Sequence, residues 1–159
     1  MSLPPLQLPL IPPVPVKHTH HHAKPEDSIN PSPLCPLVPA ADRFIHWLTP
    51  FGIDYMNHLS KLFPLSVITC DHIILCHCIT QTSLSNYASG LLCFTQFCNE
   101  FLVPKPARMP ATEALLCIFI TFHGTGHVGQ GMLTNWITGL ELWHSINGAP
   151  WLGKGTLTV

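Results

Sequence analysis

Beyond position 82, apolar residues recur at intervals of three and four, the spacing that lays a stripe along a helix rather than one face along a strand. Leu84, Tyr87, Leu91, Phe94, Cys98 and Phe101 make the first stripe, on a helix of about five turns. Asn86, Ser89, Gln96 and Glu100 take its other side, and Thr82 or Ser83 can cap its start. Pro104 and Pro106 break the chain. Pro110 then stands where a first helical turn tolerates proline, with Glu113 favouring the positive end of the dipole, so a second, buried helix is expected through Phe122. After the glycine-rich run 123–131, Leu133, Trp136, Ile137, Leu140, Trp143 and His144 form a third stripe. Asn147 and Gly148 terminate it, and Pro150 follows.

The pattern upstream is weaker. Phe44, Ile45, Trp47 and Leu48 suggest a short turn that Pro50 stops, and residues 53–63 a second segment closed by Pro64. The apolar run 67–79 fits a buried helix or a strand by apolarity alone, and its length and lack of a nearby pairing partner favour helix. Residues 1–42 hold eleven of the seventeen prolines, which deny the backbone regular hydrogen bonds, so this part is expected to be a disordered Pro/His-rich tail. Its LPPLQLPLIPPVPV stretch would favour polyproline II, a form that a protein partner could dock, with a solvated linker as the plainer reading. The division expected is a tail at 1–42, an all-α domain at 43–152 and a C-terminal tail at 153–159.

Composition narrows the function classes only a little. With 47% apolar and 9% charged residues the chain can bury one core, and seven Lys plus Arg against eight Asp plus Glu announce no nucleic-acid partner. The eleven histidines make the surface pH-responsive below about pH 6.5. Seven scattered cysteines, with no basic leader before them, suit reduced thiols and an intracellular setting. The apolar runs 67–79 and 114–122 are interrupted by Asp71 and His72 or fall short of the ~20 residues of a spanning helix, so no membrane segment is expected.

Three local motifs invite chemistry and lose to plainer readings. Gly124, Gly126 and Gly129 match the dinucleotide glycine pattern after an apolar run. A nucleotide cofactor would also need a strand before them and an acidic residue about 20 positions on, whereas Glu141 is the last acid. Cys70, His72, Cys76 and Cys78, with His77, could suggest zinc, but Cys78 projects from another face of a helix than His72 and Cys76. Buried thiols in a packed helix are the favoured account, and neither this set nor His18, His20, His21 and His22 is taken as a metal site. No nucleophile elbow occurs, no carboxylate pair sits near a plausible general acid, and Tyr55 and Tyr87 are the only tyrosines. Trp136 and Trp143 could stack on bases but at helical spacing read as core. No cofactor is expected.

The segments TSLSNYASGLLCFTQFC (82–98), RMPATEALL (108–116) and NWITGLELWHSINGAPW (135–151) together resemble the N-terminal core-binding, SAM-like domain of tyrosine recombinase or integrase-type proteins of mushroom-forming fungi, often transposon-derived. The resemblance covers roughly residues 43–152. It implies a bundle of four or five helices lying across one side of a DNA duplex, with a separate Arg/His/Arg/Tyr catalytic domain that this chain, stopping at Val159, is expected to lack. Leu84 and Cys93 stand where relatives often carry arginine, so weak binding to double-stranded DNA is expected.

Helix N-termini and the glycine loop would then meet phosphate, making Lys105, Arg108, Thr125, His127, Gln130 and Asn135 the candidate contacts. Lys105 and Arg108 read equally as solvated loop charges, and 124–131 as a flexible connector. The leading expectation is a non-catalytic DNA-binding module, nuclear if functional. A protein-interaction scaffold docked through the Pro-rich tail comes second, and a nucleotide-binding protein third.

Overall fold

The computed structural model describes residues 29–124 and 128–155. Among these the protein is all-α, with six helices and no strand: α1 (Arg43–His46), α2 (Pro50–Leu62), α3 (Leu65–His77), α4 (Gln81–Glu100), α5 (Glu113–Gly124) and α6 (Gln130–Ile146). None is long and apolar enough to cross a membrane.

The long central helix α4 lies against α6, with α5 closing one side and the chain before α2 closing the other. Its buried residues include Leu84, Leu91, Phe94 and Cys98 from the expected stripe, and Ala88, Thr95 and Phe97 as well. Tyr87 is only half-buried, and Phe101 caps the helix in solvent. The extra inward positions follow from α4's central place, since a helix with neighbours on two sides needs a wider apolar arc than one stripe. Trp136, Ile137, Leu140, Trp143 and His144 of α6 are buried as the third stripe requires. Phe119 of α5 joins the helices through edge-on contacts with Phe94 and Phe97, at centroid distances of 5.4 and 5.5 Å.

Caps set the helix starts, and several differ from expectation. Pro50 begins α2 rather than stopping α1. Thr49 caps it by accepting from the Gly52 N–H at 3.1 Å, and proline is at home in the first turn because its missing N–H would have no partner there. Thr80, not Thr82 or Ser83, caps α4 by accepting from Ser83 N–H at 3.2 Å. Pro110 lies before α5 rather than inside its first turn, because the next N–H, that of Ala111, is held by His144, and Thr112 accepts from Leu115 N–H to start the helix. Gly148 supplies the positive φ of 63° that ends α6.

The change of composition at Arg43 does not mark where packing begins. Cys35 and Ala41 belong to the core, and Ile29, Leu34 and Val38 pack on it. Proline removes donors but keeps its carbonyl, so this strap is held by donors from elsewhere. Trp47 Nε1 donates to Pro36 O at 3.0 Å and Leu48 N to Leu34 O at 2.8 Å. The expected disorder of residues 1–28 lies outside the described residues. At the other end Gly153 is buried, so packing continues past 152, and 156–159 lie outside the described residues.

Helix α3 forms as expected but is not the buried helix its apolarity suggested. Ile68 and His72 face inward and Cys76 is half-buried, whereas Val67, Cys70, Ile74 and Cys78 face solvent. Two of the thiols read as core are therefore exposed.

Candidate nucleic-acid interface

The four contact candidates among the described residues do not converge. Lys105 is half-buried in a single 3-10 turn, Lys105–Ala107, and Arg108 ends that turn. Gln130 is exposed at the first position of α6, and Asn135 is half-buried one turn later. Thr125 and His127 lie outside the described residues. Ala111, three residues past Arg108, is tied to His144 near the C-terminal end of α6. At 1.5 Å per residue, the fourteen residues from Gln130 to His144 span about 21 Å, so the basic turn and the start of α6 sit near opposite ends of that helix.

Arg108 is not the solvated loop cation that sequence suggested. It is 7% exposed, its Nε donates to Val103 O at 2.9 Å, and one terminal nitrogen is buried without a hydrogen-bond partner. Its charge is spent in the interior beside Cys35 and Cys98, and burial pushes the Cys98 thiol up to about 11 despite Arg108 and Lys105, which pull it down. Arg43 is also engaged: one terminal nitrogen donates to Ala88 O at 3.2 Å, and the guanidinium lies 5.1 Å from the centroid of the Trp47 ring. Of the lysines and arginines among the described residues, only Lys61 and Lys154 are exposed.

A buried cation without full pairing is a poor stabiliser, and replacing such groups by apolar ones of similar volume is often neutral or stabilising. Arg108→Met is therefore expected to leave the urea midpoint equal to or above that of the wild type. A loss of more than about 1 kcal/mol would instead make the Val103 bond essential to the 101–109 connection.

The start of α6 has a different character. Gly129 is its N-cap residue and, among the described residues, no side chain caps it and a Cβ at Gly129 or Gly131 would meet nothing within 4 Å. Backbone N–H groups at such an end point outward, and the absence of side-chain bulk lets another molecule approach closely. The helix preceding this loop, α5, stands where the dinucleotide motif would require a strand. The cysteine and histidine set of α3 is divided between its two faces, and no group of three or more His, Cys, Asp or Glu able to hold a metal assembles among the described residues.

Sequence reasoning missed a chain of interior polar contacts that holds the opposite end of the bundle. Trp143 Nε1 donates to Trp47 O at 3.0 Å, joining α6 to the turn before α2, and Trp47 in turn reaches Pro36. His144 accepts from Ala111 N–H at 2.9 Å through Nε2 and lies 2.7 Å from Leu140 O through Nδ1, which places its single proton on Nδ1. Burial lowers its pKa to about 4, so the ring is neutral. Asn147 Nδ2 donates to Trp143 O at 2.8 Å. The only sequence signal for this set was polar residues at the inward end of an apolar stripe. No protein family, curated protein or solved structure matches the chain.

Proposed function

We propose that the chain is a non-catalytic helical DNA-binding module of low affinity, acting in the nucleus and reading phosphate rather than base sequence. The observation that carries this is the open start of α6, where exposed Gln130 follows a glycine N-cap that no side chain satisfies. Such an end binds phosphate through N–H groups and the helix dipole without needing a basic side chain, which suits a chain of net charge −1. The all-α bundle is the architecture that the resemblance to core-binding domains implies, and SAM-like packing across a duplex is part of the same proposal. Of the original candidates, Gln130 and Asn135 flank this end and Lys105 offers one separate charge, whereas Arg108 drops out because it is buried.

The test is the salt dependence of binding to a labelled random duplex by fluorescence anisotropy. Each phosphate neutralised by a cation contributes about −0.9 to the slope of log K against log salt. With so few free cations the expected slope is about −1 to −2, a loss of roughly 4- to 16-fold between 50 and 200 mM salt. Lys105→Ala should make the slope shallower by about one, and Arg108→Met should leave it unchanged. Absence of binding at 50 mM salt would remove the proposal.

A further inference from the structure

Helix α3 is joined to the rest of the protein along one line. Ile68 and His72 are its two buried residues, and Cys76, a further four positions on, is half-buried on the same face. The attachment is thin. Its main neighbour is α2, Ile68 is buried outside the continuous core, and of the apolar residues of α3 only Cys76 packs on that core. The chain is extended on both sides of the helix: Phe63 and Pro64 have ψ of 147°, and Thr80, ahead of α4, has ψ of 150°. Helix α3 is therefore a separate rod between two joints, and the middle of its inward line is the one position in that line whose charge changes near neutral pH.

We propose that α3 is an acid-released arm: protonation of His72 frees it from α2 and from the core, while the bundle of α4, α5 and α6 stays folded. His72 is 9% exposed, and its ring, unlike that of His144, has no hydrogen bond to a described residue. An imidazolium in that place has to regain water, and moving one lightly held helix achieves this without opening the core. Burial lowers the His72 pKa, with Asp71 opposing the shift, so the docked helix favours the neutral ring. Docking is accordingly complete above about pH 6.5, where the ring is neutral in either position, and weakens as pH falls below it.

No cation or acid across the interface takes over this role. Asp54, His58 and Lys61 of α2 are exposed, and Tyr55 is turned to Gly148. On the side of α1, Arg43 is engaged with Ala88 and Trp47, His46 is half-buried, and Asp42 acts one turn further along, on Cys76. On α3 itself His77 lies 2.8 Å from Ile73 O, which leaves Asp71 as the charge that acts on His72.

The protein carries its own reporters. Cys76 lies on the inward line, Cys70 and Cys78 are exposed on the same helix, and Cys98 is fully buried in the core. The full chain is pulsed with a pyridyl disulfide, which exchanges with thiols in acid as well as at neutral pH, between about pH 7.5 and 5, and the modified cysteines are located by peptide mass. Thiol reactivity falls with pH at every site, so Cys76 is read relative to Cys70 and Cys78. That ratio is expected to rise below about pH 6.5 by up to about tenfold per pH unit, the limit for one linked proton, with Cys98 still protected. His72→Leu should hold the ratio at its neutral-pH value throughout. His72→Gln, uncharged at every pH, gives the same flat profile if the leucine variant folds poorly.

A flat ratio in the wild type overturns the proposal, and so does a rise that persists in both His72 variants. Simultaneous exposure of Cys76 and Cys98 also overturns it, because the whole fold is then lost rather than one helix released. None of these outcomes depends on DNA binding, so this proposal and the previous one can fail separately.

Discussion

Alanine at position 139 is expected to lower the stability of the protein by about 3 kcal/mol, the upper end of the usual cost of overpacking. Gly139 lies on α6 where its Cβ would run into the carbonyl oxygen of Tyr87 on α4, with the Tyr87 carbonyl carbon at 2.9 Å. Gly90 makes the reciprocal contact from α4, where a Cβ would stand 2.5 Å from Trp136 Cα and 2.6 Å from its carbonyl oxygen. In both cases the obstacle is backbone, so no side-chain rotation relieves it and the two helices must separate. Separation loosens Leu91, Phe94, Trp136 and Leu140, which fill the space between α4 and α6.

Gly90→Ala should act similarly. The double variant should cost less than the two single losses together, because the first methyl group already opens the gap that the second needs. Gly131→Ala is the contrasting case: it is also within α6 but meets open space, so the gain in helix propensity should stabilise by about 0.5–1 kcal/mol. Urea midpoints of the four variants check the ordering. A Gly139→Ala protein as stable as the wild type would show that the helices do not cross as closely as described.

Acid is expected to remove about 3 kcal/mol of stability through His144 alone. Its pKa falls from 6.5 to about 4 in the folded protein, chiefly through burial, with the bond to Leu140 O opposing the shift. A folded-state pKa below the unfolded value means that the unfolded chain binds more protons between the two. Stability is therefore full above about pH 6.5 and drains away as pH falls toward 4. A shift of about 2.5 units at 1.36 kcal/mol each corresponds to about 3 kcal/mol.

Protonation also takes from Nε2 the lone pair that receives Ala111 N–H, so the connection before α5 should loosen with the core. His72 and His123 are lowered by burial as well and add to the loss in the same direction. Denaturant midpoints at pH 7 and pH 4 measure the total. His144→Gln should be less stable at pH 7 and vary less across this window, and a variant with the wild-type pH dependence would place the acid sensitivity elsewhere.

Elements were legible in the sequence where the evidence for them lies within a few residues. The stripes of α4 and α6 are spaced by the helical repeat, and Gly148 ends α6 through its own positive φ. Caps were legible only by type. Thr80, Thr82 and Ser83 are all chemically able to cap α4, and choosing among them needs the path by which the chain arrives from α3. The candidate interface was legible to the same extent. Gln130 lies at a helix start as expected, but the burial of Arg108 could not be read from its neighbours, because although Val103 is only five residues away, Cys35 beside it comes from the strap more than seventy positions earlier.

By itself the sequence determined that the described residues are helical, where α4 and α6 run and that Asn147 and Gly148 end α6, because hydrogen bonds from one turn to the next act over three or four positions. The tertiary structure alone decided that a proline-rich strap belongs to the core, that α4 and α6 meet through Gly90 and Gly139, that Arg108 is inside, and that α3 turns an apolar seam outward. Each of these rests on groups far apart along the chain, such as Trp143 and Trp47, separated by 96 positions. Whether a side chain is covered depends on which distant surface folds over it, and local periodicity records how apolar a face is but not what lies opposite.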